Sequence, residues 1–225
     1  MPPDIAADMA VTCDLMDAGA IAQAGVAIRE ACPRIDLFIS CAGTISPQTV
    51  GVLDSERVRG QVETNLTGVI LLTQEVLPSI AAGGRILFVN SMAGVFPLAG
   101  SAAYTASKFG LRGFARALAL ELRPRGIHVV SVFPGSVDTP MFRDEMEQGG
   151  SLLNFMSWPQ APERAAAWIL GAARSRKEEH FPSIIDRIFP PLFLCSPFFL
   201  RLCMPVMTVW SRLTRWCYRR RRGRG

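Results

Sequence analysis

The chain has 225 residues with 49% hydrophobic content, which is enough for one domain with a sizeable core. Its formal net charge of +5 comes from the C-terminus, because residues 211–225 hold seven arginines and no acidic side chain, whereas residues 1–210 carry 17 basic and 19 acidic side chains. Since the rest of the chain is slightly acidic and has no nucleic-acid motif, the composition argues against nucleic-acid binding.

The cysteines and the N-terminus favour a reducing compartment. Six cysteines are scattered without a C-x-x-C pair and there are only two histidines, which argues against a zinc site and against a disulfide framework. The N-terminus lacks a positive segment followed by an apolar one, so no signal peptide is predicted. We therefore expect a cytoplasmic protein without a bound metal.

Short apolar runs alternate with longer helical patterns along the chain. Buried strands rich in Val, Ile, Leu and Phe are predicted at residues 10–15, 35–40, 85–90 and 127–133. Helix-length segments are predicted at residues 17–31, 55–80 and 102–123. Strands and helices that alternate in this way predict an α/β fold, in which a parallel sheet carries helices on both faces.

Three side chains between residues 90 and 110 have a spacing that indicates chemistry. Tyr104 and Lys108 are four residues apart, so they share one face of the predicted helix. A phenol has a pKa of about 10, and a nearby ammonium group favours the phenolate, so we expect Lys108 to lower the Tyr104 pKa. Ser91 ends a predicted strand, where parallel sheets bind ligands, and could orient a carbonyl for Tyr104. The alternative is a surface Tyr–Lys pair on an ordinary helix.

Five motifs, in this order along the chain, resemble those of the short-chain dehydrogenase/reductase family over residues 10–182. They are "CDLMD" with Asp14 and Leu15, "CAG" at Cys41, Ala42 and Gly43, "TNLTG" with Asn65, the pattern S-x12-Y-x-x-x-K at Ser91, Tyr104 and Lys108, and "PGSVDTP" with Pro134, Gly135, Val137 and Thr139. The resemblance implies a Rossmann-like, doubly wound parallel sheet. It also implies hydride transfer between a nicotinamide cofactor and a carbonyl or alcohol.

The resemblance implies a role for each of these residues. Tyr104 is the general acid or base, and Ser91 binds the reacting oxygen. Lys108 holds the nicotinamide ribose, and Asn65 helps to hold the water of a proton relay. The cofactor-binding residues implied by the family are Asp14, Leu15, Cys41, Ala42, Gly43, Tyr104, Lys108, Pro134, Gly135, Val137 and Thr139. The cofactor is NADP or NAD, with NADP slightly favoured, and the family's usual dimers or tetramers imply a homo-oligomer.

One family motif is missing. The 225 residues contain no T-G-x-x-x-G-x-G run, which in the family lets the backbone approach the pyrophosphate at a helix N-terminus. The first βαβ unit is therefore absent, and the sheet is predicted to be truncated at its N-terminal side, with an unpaired edge. Three interpretations remain open: a fragment or a wrongly assigned start of a normal enzyme, a truncated form without catalysis, and a form completed by another chain.

Residues 140–176 correspond to the family's substrate loop and the helix after it. The loop is apolar and includes Met141, Phe142 and Trp158, which predicts a hydrophobic substrate such as a lipid or a steroid. Alternatively, these side chains only cover the cleft. A helix is predicted from Pro162, because proline is tolerated in a first helical turn.

We place a domain boundary after residue 183, so that residues 1–183 form the partial Rossmann domain and residues 184–225 form a hydrophobic extension. Residues 189–210 carry one charge, at Arg201, and four prolines, which argues against a straight membrane span. The arginine-rich tail that follows favours contact with an anionic membrane surface. The alternative is a lid on the substrate pocket or a contact with a second subunit.

Two functions therefore follow from the sequence. The first is a membrane-associated NADP- or NAD-dependent oxidoreductase in lipid metabolism, acting on a small apolar carbonyl or alcohol. The second is a catalytically silent relative that serves as a binding or membrane-associated module.

Overall fold

The computed structural model describes residues 8–222. Its strands are β1 (Ile35–Ser40), β2 (Ile80–Val89), β3 (His128–Val132) and β4 (Glu179–His180). Its α-helices are α1 (Ala18–Ala31), α2 (Ser55–Val62), α3 (Gly68–Val76), α4 (Ala102–Leu122), α5 (Pro140–Glu147), α6 (Pro162–Ala173), α7 (Ile184–Cys195) and α8 (Pro197–Arg222).

The four strands form one parallel sheet in the order β1-β2-β3-β4. Ser40 pairs with Phe88 and Val89 pairs with Val132, so the strands end at the same edge of the sheet. The segments that leave this edge begin at Cys41, at Asn90 and at Phe133. In parallel α/β sheets, ligands bind outside the carboxyl ends of the strands.

Helices cover both faces of this sheet. On one face, α3 and α4 pack on β2 and β3 through buried side chains such as Leu118 against Phe88. On the other face, α6 packs on the same strands, with Ala172 in one cluster with Leu87 and Val130. Leu87 and Phe88 enter opposite layers because successive side chains of a strand point to opposite faces. The predicted α/β architecture is confirmed.

The helix predicted over residues 55–80 is divided in the structure. A π-helical turn, Glu63–Thr67, separates α2 from α3, and a 3-10 turn, Leu77–Ser79, leads into β2. Single π-helical turns are rare and are frequent at functional sites. Asn65 lies in this turn with 0% of its surface exposed. The irregular turn therefore carries a polar side chain into the protein interior.

The strand predicted at residues 10–15 is wrong. This segment is irregular and largely exposed, and Asp14 Oδ1 accepts a hydrogen bond from the Met16 backbone at 2.9 Å before α1 begins. A strand needs a neighbour for its backbone groups. Within residues 8–222, β1 pairs with β2 alone, and its other edge is unpaired. The expected unpaired edge is therefore present, although β1 forms it without a preceding strand.

The C-terminal extension forms two helices, α7 and α8. They meet at Ser196, whose extended backbone (φ −142°, ψ 98°) is the conformation favoured before a proline. Pro190, Pro191 and Pro205 lie inside the two helices. Among the helices of residues 8–222, none combines the length and the apolar character that a membrane crossing requires.

Candidate active site

A cavity of about 570 Å³ lies at the carboxyl edge of the sheet. Ser91, Tyr104 and Lys108 all line it, and so do the predicted substrate residues Met141 and Phe142. Its volume lies within the range of about 300–1,000 Å³ that is typical of small-molecule sites. The structure therefore brings the three residues of the S-x12-Y-x-x-x-K pattern to one apolar cavity.

Two secondary-structure elements position Ser91 and Tyr104. Ser91 follows β2 and caps the 3-10 turn Met92–Gly94, where its Oγ accepts a hydrogen bond from the Ala93 backbone at 3.1 Å. Tyr104 lies in the first turn of α4, and its side chain lines the cavity together with that of Ser91. The two side chains therefore share one cavity wall, and the role of Ser91 in orienting a carbonyl for Tyr104 stays a prediction.

Tyr104 remains a neutral phenol in this site. Burial disfavours the phenolate and raises the Tyr104 pKa to about 12, against a lowering by the hydrogen bond to Ser91 and a further raising by the negative charge of Glu145. The expectation that Lys108 lowers this pKa is wrong for the structure. The Lys108 Nζ lies 5.7 Å from the centre of the Tyr104 ring, and burial, the largest cause, raises the Tyr104 pKa. A neutral phenol is the form that donates a proton.

Lys108 is a buried cation. Only 4% of its surface is exposed, and burial lowers its pKa to about 8. Its Nζ donates to the Val89 carbonyl at 3.4 Å, which is a long hydrogen bond. A Cβ atom placed on Gly43 would lie 3.5 Å from this Nζ. Gly43 therefore leaves the side of Lys108 that faces the cavity open.

Asn65 does not line the cavity but supports the loop beside it. Its Oδ1 accepts from the Thr44 backbone N–H at 2.7 Å, and its Nδ2 donates to the Thr44 carbonyl at 2.8 Å and to Ser107 Oγ at 3.1 Å. Gly43, the neighbour of Thr44, lies in the cavity wall. The side chain of Asn65 therefore joins the loop after β1 to α4, and its predicted role in a proton relay stays a prediction.

The structure separates the predicted cofactor residues into two groups. Those that line the cavity with Tyr104 and Lys108 are Cys41, Gly43, Pro134, Gly135, Val137 and Thr139. Those that do not line it are Asp14, Leu15 and Ala42. The Leu15 carbonyl packs instead against Gly68 of α3, where a Cβ atom would lie 2.2 Å away. The predicted substrate residue Trp158 also lies outside the cavity wall, with its ring 5.8 Å from that of Tyr218.

Sequence reasoning missed several polar residues of the cavity wall, among them Glu145 and Asn154. Glu145 is 8% exposed and belongs to "RDEMEQ", a charged run that reads as a solvated helix face. The available signal was the helical spacing of Glu145 from Phe142 and Met141, three and four residues earlier. That spacing places Glu145 on the apolar face of α5.

The C-terminal helices also contribute to the cavity. Its wall includes Phe189, Pro190 and Phe193 of α7 and Met207 of α8. Trp210 Nε1 donates to the Met156 carbonyl at 3.1 Å, and Arg215 Nη2 donates to the Met146 carbonyl at 3.2 Å. These contacts agree with the alternative in which the extension covers the substrate pocket.

Tyr218 anchors the end of α8. It is 9% exposed and forms one buried cluster with Phe142, Met146 and Phe155. Since Phe142 lines the cavity, this cluster joins the last turns of α8 to the cavity wall.

The cavity fits the nicotinamide ribose end of a dinucleotide. Lys108 has three donor hydrogens, and a single long hydrogen bond to a carbonyl leaves it able to donate to two hydroxyl groups. The absence of a side chain at Gly43 leaves room for them. Among residues 8–222, the segment of Asp14 and Leu15 does not reach this cavity, so the fit covers only this end of the cofactor.

A parallel sheet with helices on both faces and a ligand cavity at the carboxyl ends of its strands defines a Rossmann-like α/β protein. Residues 5–149 match the family model described as short chain dehydrogenase. The chain belongs to the short-chain dehydrogenase family.

Individual relatives agree with this assignment. The chain is 33% identical over 184 residues to 3-oxoacyl-(acyl-carrier-protein) reductase MabA of Mycobacterium avium, covering 80% of this chain and 71% of that one. It is 36% identical over 113 residues to 3-dehydrosphinganine reductase of Danio rerio, covering 49% and 34%. The chain thus spans only part of the length of these relatives.

A solved structure shows the same fold. It is a short chain dehydrogenase from Burkholderia cenocepacia J2315 in complex with NADP, with a TM-score of 0.68 and 24% sequence identity. The match covers 84% of this chain and 76% of that one.

Proposed function

We propose that this protein is an NADP- or NAD-dependent oxidoreductase that reduces an apolar carbonyl or oxidises the corresponding alcohol. The observation that carries the proposal is the placement of Ser91, Tyr104 and the buried Lys108 together in the wall of one apolar cavity. A polar triplet of this kind is costly to bury without a ligand that uses it.

The chain's own residues would handle the oxygen of the substrate. Tyr104, held as a neutral phenol, donates its proton to the carbonyl oxygen, and Ser91 orients that oxygen by a hydrogen bond. Lys108 would hold the nicotinamide ribose, with Gly43, Thr139 and the Pro134 turn around it. The nicotinamide, when bound, supplies or accepts the hydride. The proposal of NADP is supported by the Burkholderia structure, which is a complex with NADP. Cys41, Gly135 and Val137 also line the cavity and would contact the cofactor.

A lipid-like substrate is supported by the apolar cavity wall and by the relatives named as reductases of 3-oxoacyl chains and of 3-dehydrosphinganine. Met141 and Phe142 would contact the chain of such a substrate.

Replacing Tyr104 by phenylalanine tests the proposed chemistry. The ring still packs and only the hydroxyl is lost, so turnover of a medium-chain ketone such as decan-2-one should fall by about 10²-fold or more. Tyr218→Phe is the matched control, because it removes the hydroxyl of the other tyrosine in the sequence and keeps its ring. The rates are measured by NADPH oxidation in the chain and in a longer form that supplies a glycine-rich cofactor turn.

Near-normal turnover of Tyr104→Phe would reject the assignment of the proton donor. If neither form oxidises NADPH with any ketone, the catalytically silent alternative is favoured.

We also infer that α8 brings the protein to an anionic membrane surface from the cytoplasmic side. Large apolar side chains recur at intervals of three and four residues along one face of α8, and each is at least 53% exposed: Phe199, Leu202, Val206, Val209, Leu213 and Trp216. The opposite face of α8 packs on the domain through Tyr218. A helix that is apolar on its outer face needs a further partner.

The arginines of α8 favour a lipid partner over a second copy of the chain. Arg212, Arg219 and Arg220 are exposed beside the apolar face, and like charges of two copies would repel one another.

Vesicle flotation tests this proposal. The chain should float with anionic vesicles, and a fraction should remain bound at 1 M salt, where the Debye length is about 3 Å, because apolar burial is not screened. Complete release at 1 M salt, or dimers without flotation, would reject the membrane contact.

A further inference from the structure

Glu145 is a buried carboxyl group that the proposed chemistry does not use. It lies on α5, is 8% exposed and lines the same cavity as Ser91 and Tyr104. The charge of Glu145 acts on Tyr104, whose pKa it raises. The carboxyl group therefore faces the same cavity as the hydroxyl groups of Ser91 and Tyr104.

The side chain of Glu145 is held in place from two sides. Asn154 Nδ2 donates to Glu145 Oε1 at 2.5 Å. The backbone carbonyl of Asn154 accepts a hydrogen bond from Ser136 Oγ at 2.5 Å, which holds the Asn154 backbone in place. On the other side, a Cβ atom placed on Gly150 would lie 2.7 Å from Glu145 Cγ. Glu145 is thus a fixed acceptor in the cavity wall.

No salt bridge formed within residues 8–222 includes Glu145. The nearby charged side chains are engaged elsewhere, because Arg143 pairs with Asp138 and Arg215 donates to the Met146 carbonyl. Burial raises the Glu145 pKa to about 7, against a lowering by the hydrogen bond from Asn154. A buried carboxylate without a cation is unfavourable, and a cation beside it removes the cost.

We propose that Glu145 binds the protonated amine of an apolar substrate, so that the site takes amino ketones or amino alcohols that carry an alkyl chain. This inference rests on the proposed function, because the carbonyl end of the same molecule would bind at Ser91 and Tyr104. The apolar wall accommodates the alkyl chain. The wall holds a second acidic side chain, Asp186, but it is less buried than Glu145 and accepts a hydrogen bond from Ser183 Oγ at 2.7 Å. A neutral alkyl ketone would leave the carboxyl group with its hydrogen bond from Asn154 but without a cation.

Binding of two simple probes to the full chain tests the proposal without cofactor or turnover. Octylamine and octan-1-ol have the same alkyl chain and differ in charge. Glu145→Gln should weaken octylamine binding at pH 8 by at least tenfold and leave octan-1-ol binding within about twofold, measured by titration calorimetry. Glu147→Gln is the matched control, since it removes the same charge from an exposed position of the same helix.

The pH dependence gives a second readout. An ammonium ion binds the ionised carboxylate, so octylamine affinity should fall about tenfold for each pH unit below 7 and become level above 7. Tyr104 and Lys108, which also face the cavity, have pKa values of about 12 and about 8, so neither titrates between pH 5 and 7. Asp186 also lines the cavity and is present in both proteins, so the comparison with Glu145→Gln isolates the effect of Glu145. Octan-1-ol affinity and the Glu145→Gln protein should show no such slope.

Three outcomes would overturn the proposal: unchanged octylamine affinity in Glu145→Gln, an equal loss for octan-1-ol, or an equal effect of Glu147→Gln. Because neither cofactor nor turnover is involved in this experiment, its result is independent of the Tyr104→Phe assay. Failure of one can therefore be distinguished from failure of the other.

Discussion

The two faces of α8 should respond differently to the loss of one aromatic ring. Tyr218 and Trp216 are two residues apart, but Tyr218 is 9% exposed and Trp216 is 53% exposed. The Tyr218 ring lies 5.6 Å from the Phe155 ring and 6.3 Å from the Phe142 ring. Tyr218→Ala therefore removes a ring from the contact between α8 and the cavity wall, whereas Trp216→Ala removes an outward ring.

The magnitude follows from burial. Replacing a buried aromatic residue by alanine typically costs about 3–5 kcal/mol, and the position of Tyr218 at the edge of the domain favours the lower value. A loss of about 3 kcal/mol raises the open population of α8 more than a hundredfold. Trp216→Ala should change the same opening by less than about 0.5 kcal/mol, because surface substitutions have small effects. It should instead weaken vesicle binding about tenfold, since one large apolar side chain contributes about 1.5–3 kcal/mol on burial.

Hydrogen exchange of the α8 amides, followed by mass spectrometry, measures the opening, and flotation measures the vesicle binding. Tyr218→Ala should accelerate exchange in α8, and Trp216→Ala should leave exchange unchanged but reduce flotation. If Tyr218→Ala leaves α8 protected, or if Trp216→Ala accelerates exchange equally, the assignment of the inner and outer faces is refuted.

Three further predictions concern the site. Lys108→Met should raise the free energy of unfolding at pH 7 by about 1–3 kcal/mol, because burial lowers the pKa of the native lysine to about 8. The gain should shrink between about pH 8 and 10.5, because the native lysine is neutral there while the unfolded lysine is still charged, which stabilises the wild type. Urea melts that show a loss of stability at pH 7 would contradict this prediction. Asn65→Ala should lower the free energy of unfolding by about 1–3 kcal/mol in the same melts, because the Thr44 backbone loses both partners, and an unchanged midpoint would show that water replaces them. NADPH should bind the 225-residue chain more weakly than micromolar, because its sequence has no glycine-rich pyrophosphate turn, and micromolar binding in titration calorimetry would show that another segment holds the phosphates.

Local patterns were sufficient for the elements that pack on the sheet. The apolar runs that became β1, β2 and β3 lie between helices, and each is rich in residues that suit a buried strand. The helix predicted from Pro162 begins at that residue in the structure, because proline marks its first turn. Residues 10–15 have the same local pattern but are not a strand, because strand formation requires a partner that the local sequence does not contain.

The sequence by itself determined the chemical groups of the site, since the spacing of Ser91, Tyr104 and Lys108 implies that a strand end and one helix face bring them together. Only the tertiary structure decided their environment. Burial raises the Tyr104 pKa, although the lysine one turn away suggested a lowering, because desolvation depends on every element that surrounds the ring. The tertiary structure also decided that Glu145 lines the cavity, because a charged run on a helix does not reveal which of its residues faces a cavity.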